Sequence, residues 1–229
     1  MSRDKTTGFT LIELMLAMTF ISILLLAIAL TTIQISNIYN KGITLREVNQ
    51  AGRSVTEDLR RSIALSMPFD TSSNYVSRDG GGRLCIGGYS YAWNYGKAIV
   101  GGAGAPALLN VYDDAARTPV RFAKVVDPGA SLCTDAMLAQ PVARADATEL
   151  LSSGDRDLAL HKFTIKQTDS NPSASQALYA ISMTIGTNDR QQLADAACKP
   201  PSEGVGNEAY CSVNQFDIIA RAGNNLGGK

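Results

Sequence analysis

A single histidine, His161, stands in a chain of 229 residues. Ser-His-Asp and Cys-His catalysis would both depend on that one imidazole, and it sits mid-strand in an alternating run, where it reads as a packed or surface residue. No CxxC pair accompanies it, so the ligand spacing of a zinc site is missing. The Gly/Ala-rich segment from Gly101 to Ala107 has no Gly-Lys-Ser/Thr after it and reads as linker, not as a phosphate loop. Charge of either sign is not in excess: 21 Lys and Arg balance 21 Asp and Glu, so no global field favours nucleic acid. Asp113-Asp114 and Asp155-Arg156-Asp157 offer carboxylates, yet neither supplies the 12-residue ligand pattern of a calcium loop. The expectation is a non-enzyme with no cofactor, no metal, and neither nucleic acid nor a small-molecule substrate as partner.

The most telling absence runs from Leu14 to Ile35, where there is no charge, no glycine and no proline. A helix of about 20 such residues crosses the ~30 Å hydrocarbon core of a bilayer. One carboxylate, Glu13, stands at the N-terminal edge of the span, where an ionised group costs about 2.5–3.5 kcal/mol unless something pairs with it. Arg3, Lys5 and the initiator amine precede the span against only Asp4, so the positive-inside bias leaves residues 1–8 in the cytoplasm and the C-terminal part outside. All four cysteines lie on that outer side. In an oxidising compartment Cys85, Cys133, Cys198 and Cys211 read as two disulfides, and sequential pairing, Cys85 to Cys133 and Cys198 to Cys211, closes the shorter loops.

Gly8-Phe9-Thr10-Leu11-Ile12-Glu13-Leu14 resembles the N-terminus of the type IV pilin family, including the pseudopilins of type II secretion. The resemblance implies that a prepilin peptidase cuts between Gly8 and Phe9, that the new amine of Phe9 is methylated, and that Glu13 is the carboxylate that pairs with a neighbouring subunit's terminus. Two other readings of the segment stay open. One is an ordinary signal anchor whose Glu13 snorkels to the headgroups; the other is a secretory signal cut after Ala27-Ile28-Ala29. A second stretch, Cys85-Ile86-Gly87-Gly88-Tyr89-Ser90-Tyr91-Ala92-Trp93-Asn94, resembles W-type minor pilins. Major pilins of the family often carry a proline within the buried half of the helix, and this chain has none, which favours a minor pilin or pseudopilin.

Residues 9–66 are expected to form one long helix in two halves, apolar all round and then amphipathic. In the second half Leu45, Val48, Gly52, Val55, Leu59 and Ile63 recur at helical spacing. Pro68 sets its end. Gly42 and Gly52 are weak points, each about 1 kcal/mol worse than Ala. Residues 67–229 then form one head of about 160 residues, enough to bury roughly 70% of its unfolded surface. Phe69–Gly82 reads as a loop and Arg83–Tyr95 as one strand bulged at Gly87-Gly88. Further strands are expected at residues 107–112, 120–126, 158–166, 177–185 and 212–222, with a turn at Asp169–Ser173 and a loose tail from Gly223. Tyr89, Tyr91, Trp93 and Tyr95 share one face, which reads as half-buried sheet surface before it reads as a stacking platform.

The fold class is thus α+β and pilin-like: a long N-terminal helix laid on a mainly antiparallel sheet. The implied function is a minor pilin, a structural subunit that helps initiate or support assembly of a type IV pilus, anchored in the inner membrane with other pilin subunits and the prepilin peptidase as partners. The J-type minor pseudopilin of type II secretion, and an adhesin delivered by a pilin signal, are the alternatives.

Overall fold

Thr10 starts the first ordered element. In a computed structural model that describes residues 10–151, 156–171, 176–200 and 208–223, its side chain caps helix α1 (Leu11–Leu65), and Ser66 closes that helix in extended geometry. The expected leader, residues 1–8 with Gly8, and Phe9 lie outside the described residues. Fifty-five residues without a proline make a rod about 83 Å long at ~1.5 Å per residue.

The rod has two environments. Every residue from Thr10 to Tyr39 is exposed, whereas Thr44, Val48, Gly52, Val55, Leu59, Ser62 and Ile63 are buried against the head. Leu45, expected on the buried face, stays outside it at 37% exposure, and Thr44 takes its place by donating to the Ala209 carbonyl at 3.0 Å. Gly52 packs under the ring of Phe216 so closely that a methyl group there would fall inside it. No backbone mobility is being served at that position; the small residue makes room for an aromatic ring.

The helix stops where Pro68 disfavours further turns. The turn that follows is fixed at once: the Tyr179 hydroxyl donates to the Phe69 carbonyl at 2.6 Å, and the two rings stack 4.2 Å apart. Next come α2 (Thr71–Asn74), capped by Asp70, and β1 (Tyr75–Arg78), in the stretch expected to be loop. The expected single strand over 83–95 is also corrected. It is a hairpin of β2 (Gly81–Ile86) and β3 (Tyr89–Asn94), with Gly87 turning at a φ of 63° that glycine adopts without strain. A Gly-Gly pair between alternating runs marks a turn as readily as a bulge, and here the turn prevails.

A short helix α3 (Gly96–Val100) leaves the sheet, β4 (Phe122–Val126) returns to it, and β5 (Ala147–Glu149) completes an antiparallel meander in the order β1-β2-β3-β4-β5. No strand forms over 107–112. Val111 and Tyr112 make single bridges to Pro119 and Val142 instead, within an excursion that covers the second face of the meander. A second sheet holds the long hairpin β6 (Leu158–Asn171) and β7 (Gln176–Thr187) with β10 (Val213–Ala222), in the order β10-β7-β6; the expected turn at Pro172 and Ser173 lies outside the described residues. A two-stranded ribbon, β8 (Leu193–Ala194) and β9 (Ala197–Cys198), lies between β7 and β10 in the chain. The single sheet expected from the sequence is therefore two, plus a ribbon, and the α+β pilin-like architecture stands.

Trp93 lies at the centre of the main core, its ring 4.5 Å from that of Phe163 and 5.8 Å from that of Phe122, with Val55, Leu59 and Ile63 of α1 in the same cluster. A second cluster, including Cys85, Ala92, Val125 and Leu132, lies under the excursion. Both faces of β2 and β3 are thus covered, which is why β2 is buried along its whole length.

Candidate functional site

At the start of α1 the side chain of Glu13 turns back on the helix end. Its Oε2 accepts from the Thr10 amide at 2.9 Å and the Thr10 hydroxyl at 2.8 Å, while the Glu13 amide donates to Thr10 Oγ1 at 3.3 Å. This reciprocal pair is a capping box. It satisfies two amides that the first turn would otherwise leave open and holds a negative charge at the positive end of the helix dipole. Only one of the two carboxylate oxygens is engaged by these bonds.

Below this cap the helix is built for a medium without water. Thr19, Ser22, Thr31 and Thr32 each return their hydroxyl to a carbonyl three or four residues back, at 2.8–2.9 Å, so no hydroxyl in this stretch of the rod needs an outside partner. Large apolar side chains point outward on all sides, among them Leu16, Phe20, Ile23 and Leu26 at 62–69% exposure. The helix is long and apolar enough to cross a membrane.

The rod is held to the head by a polar clasp that sequence reasoning missed. Tyr91 donates to Asp58 Oδ2 at 2.6 Å, the Ser62 hydroxyl donates to the Tyr91 oxygen at 2.7 Å, and Lys124 Nζ reaches Asp58 Oδ1 at 3.0 Å and Ser62 Oγ at 2.9 Å. Burial first, then the bond to the Asp58 carboxylate, push the Tyr91 phenol far above its usual range, so it stays a donor. The helical period places Asp58 beside the buried stripe, one turn after Val55, and that was the available signal. Further along, Lys41 Nζ donates to the Cys211 carbonyl at 2.8 Å, tying the C-terminal loop to the rod.

The structure pairs Cys85 with Cys133 and Cys198 with Cys211, with Cα atoms 6.1 and 5.8 Å apart. Tyr91 and Trp93 are fully buried and only Tyr89 of that face is open, at 43% exposure, so no aromatic platform exists. Asp113 and Asp114 serve turns, accepting from the amides of Arg144 and Thr118. Asp157 pairs with Arg121, and Asp155 lies outside the described residues. Among the described residues no three His, Cys, Asp or Glu converge on a point that could hold a metal ion.

Set beside known proteins, residues 3–30 match the family described as Prokaryotic N-terminal methylation motif. The motif covers a small part of the chain; together with the long apolar helix and the antiparallel sheets it supports a type IV pilin-like protein. The motif implies processing by a prepilin peptidase and assembly with other pilin subunits. Neither the curated proteins nor the solved structures give a match to the chain.

Proposed function

We propose that this protein is a minor pilin, cut between Gly8 and Phe9, methylated on Phe9, and drawn from the inner membrane into a type IV pilus. The observation that carries this reading is one carboxylate, Glu13, at the head of a helix that is otherwise uncharged to Ile35 and exposed on every side. A surface of that kind is stable in lipid or in a bundle of like helices, and the exchange of one for the other is what filament assembly requires. Glu13 supplies the register. Its carboxylate, held by Thr10 in the isolated chain, has an oxygen to offer the Phe9 amine of a neighbour, and a charge-assisted bond in an apolar bundle is strong because leaving either charge unpaired there is so costly.

In this reading residues 1–8 are the leader, residues 9–66 the stem with its span over about 14–35, and residues 67–229 the outer head. Substituting Glu13→Ala tests the proposal. Filament incorporation should fall at least about tenfold, the loss of roughly one charge-assisted contact, while membrane insertion and head folding persist. Unchanged incorporation would remove the docking role, and an intact mass that still includes residues 1–8 would remove the processing step.

A further inference from the structure

The head takes hold of the rod at a definite level. Its contacts nearest the apolar end are Arg156, whose guanidinium reaches Asn40 Oδ1 at 3.5 Å, Cys211, whose carbonyl accepts from Lys41 Nζ at 2.8 Å, and Ala209, whose carbonyl accepts from the Thr44 hydroxyl at 3.0 Å. These residues form the lower rim of the head. Between them the Arg156 guanidinium stacks over the ring of Tyr210, 4.4 Å from its centroid. Lys199 adjoins the same rim: its amide donates to the Gln192 carbonyl at 2.8 Å, and the Cys198–Cys211 bridge joins the preceding residue to the rim itself.

Asn40 lies five residues beyond Ile35, where the apolar run ends. At ~1.5 Å per residue that is roughly 7.5 Å along the axis. A bilayer with a hydrocarbon core of about 30 Å measures about 40–45 Å across with its headgroups, which leaves roughly 5–8 Å of headgroup on each side. The rim of a head on a helix that spans at Ile35 therefore stands at the headgroups. Ile38 and Tyr39 fill the interval, 73% and 68% exposed, a collar that no part of the head covers. An apolar residue and an amphipathic ring side by side suit the boundary between lipid tails and water.

Charge agrees with position. Among the described residues the rim and its surroundings carry Lys41, Arg156 and Lys199 against Asp157 and Asp189. Asp157 pairs with Arg121, and Asp189 accepts from the Gln191 amide and from Gln192 Nε2, both at 2.9 Å. Arg190 and Asp195 stand farther round, beside the loop after α3. Lys41 gives one of its three donors to Cys211 and keeps two.

We propose that the lower rim of the head docks on the anionic phospholipid headgroups of the membrane that α1 crosses, with Lys41, Arg156 and Lys199 donating to phosphate oxygens and Tyr39 lying at the same depth. The rim is continuous with the lipid-facing surface of α1, so the anchor itself delivers this partner. A free phosphate would meet the same cations but not the collar; the bilayer meets both. Seated in this way, the head has a fixed bearing on the membrane before it touches another subunit. The inference rests on the membrane span and not on entry into a pilus, so an unchanged phenotype for Glu13→Ala would leave it standing.

The test uses the full chain, labelled with 2H and 15N, in nanodiscs doped with a lipid spin-labelled on its headgroup. Amide broadening is read at Arg156, Lys199 and Tyr210, with Ser66 at the far end of the rod as control. Each cation at an anionic surface favours contact about fivefold. Replacing about 30% of the phosphatidylcholine by phosphatidylglycerol should therefore raise the broadening at the three rim amides at least about threefold, and about 0.5 M salt should undo the rise. Ser66 should stay sharp in both lipids. Lys199 Nζ makes no bond among the described residues, so Lys199→Glu should cut the rise by about half without moving the melting temperature, and Arg156→Glu added to it should remove the rest. Arg60→Glu, an exposed change about 30 Å farther up the rod, should keep the rise whole. Equal broadening in the two lipids means a head that is merely tethered, and sharp rim amides in both mean a head that stands clear; either overturns the proposal. A rise that survives the double substitution, or one that Arg60→Glu abolishes, overturns it as well.

Discussion

Arg83 is wholly buried and, among the described residues, meets no carboxylate within bonding distance. Its guanidinium donates to Asn110 Oδ1 at 2.6 Å and to the carbonyls of Leu132, Met137 and Gln140 at 2.8–3.1 Å, and burial brings its pKa down to about 10. Three carbonyls of the excursion that carries Cys133 are thereby pinned to β2. Arg83→Met should cost about 3 kcal/mol or more, from stranded carbonyls and a lost network. Arg83→Lys should recover less than half of that, because an ammonium lacks the planar fork; urea midpoints of the variants read both numbers. His161 gives a second prediction. Its folded pKa is depressed by burial, so the unfolded chain takes up the proton first as pH falls, and stability is constant above the ordinary imidazole value and declines below it. Urea midpoints should drop between about pH 7 and pH 5.5, above the carboxylate range, and His161→Gln, in a chain with no other histidine, should flatten that interval. At this scale the two disulfides were legible, because an even set of thiols stands out by type alone. Arg83 was not: nothing local distinguishes a polar residue whose partners lie dozens of positions away.

Within α1 two glycines that look alike in sequence have opposite roles. Gly42 has nothing within 4 Å of where a Cβ would sit, whereas at Gly52 the ring of Phe216 occupies that place. Gly42→Ala should therefore stabilise the helix by up to about 1 kcal/mol. Gly52→Ala should destabilise by about 1–3 kcal/mol through overpacking, and thermal melts of the two variants should move in opposite directions. Helical periodicity revealed the stem and its buried stripe, since Val48, Val55, Leu59 and Ile63 repeat over about four turns. The strands were harder to read. β6, β7 and β10 alternate cleanly because one face of each is buried, as in β7, where Ala177, Tyr179, Ile181, Met183 and Ile185 alternate with more open residues. β1 and β2 were missed or merged because polar Tyr75–Arg78 carries no alternation, and β2 is covered on both faces and so lacks a two-residue period.

Across the whole molecule the division falls near Tyr39. Residues 10–39 bury nothing against the head, while the stretch from Thr44 to Ile63 contributes to its core. A chain beginning at Asn37 should fold without detergent and keep the melting temperature of the head in the intact protein. A chain beginning at Met67 should not fold. It would lose Val48, Val55, Leu59 and Ile63, each worth about 1.5–3 kcal/mol of burial, against a typical total of about 5–15 kcal/mol. Circular dichroism of the two fragments decides this. The long apolar helix, its amphipathic continuation and the α+β class were readable because they depend on composition over tens of residues. The split into two sheets depends on which loops meet, and loop encounters leave no pattern in a single chain.

The unbroken course of α1 has a mechanical consequence. A rod about 83 Å long is a lever, and a tilt of about 10° at its apolar end carries the far end through about 14 Å. With Asp58, Ser62, Tyr91 and Lys124 fastening the head to the rod, that arc is passed to the whole head with little slack. Small changes in how the apolar end lies therefore become large swings of the head, whose bearing is steered from the foot.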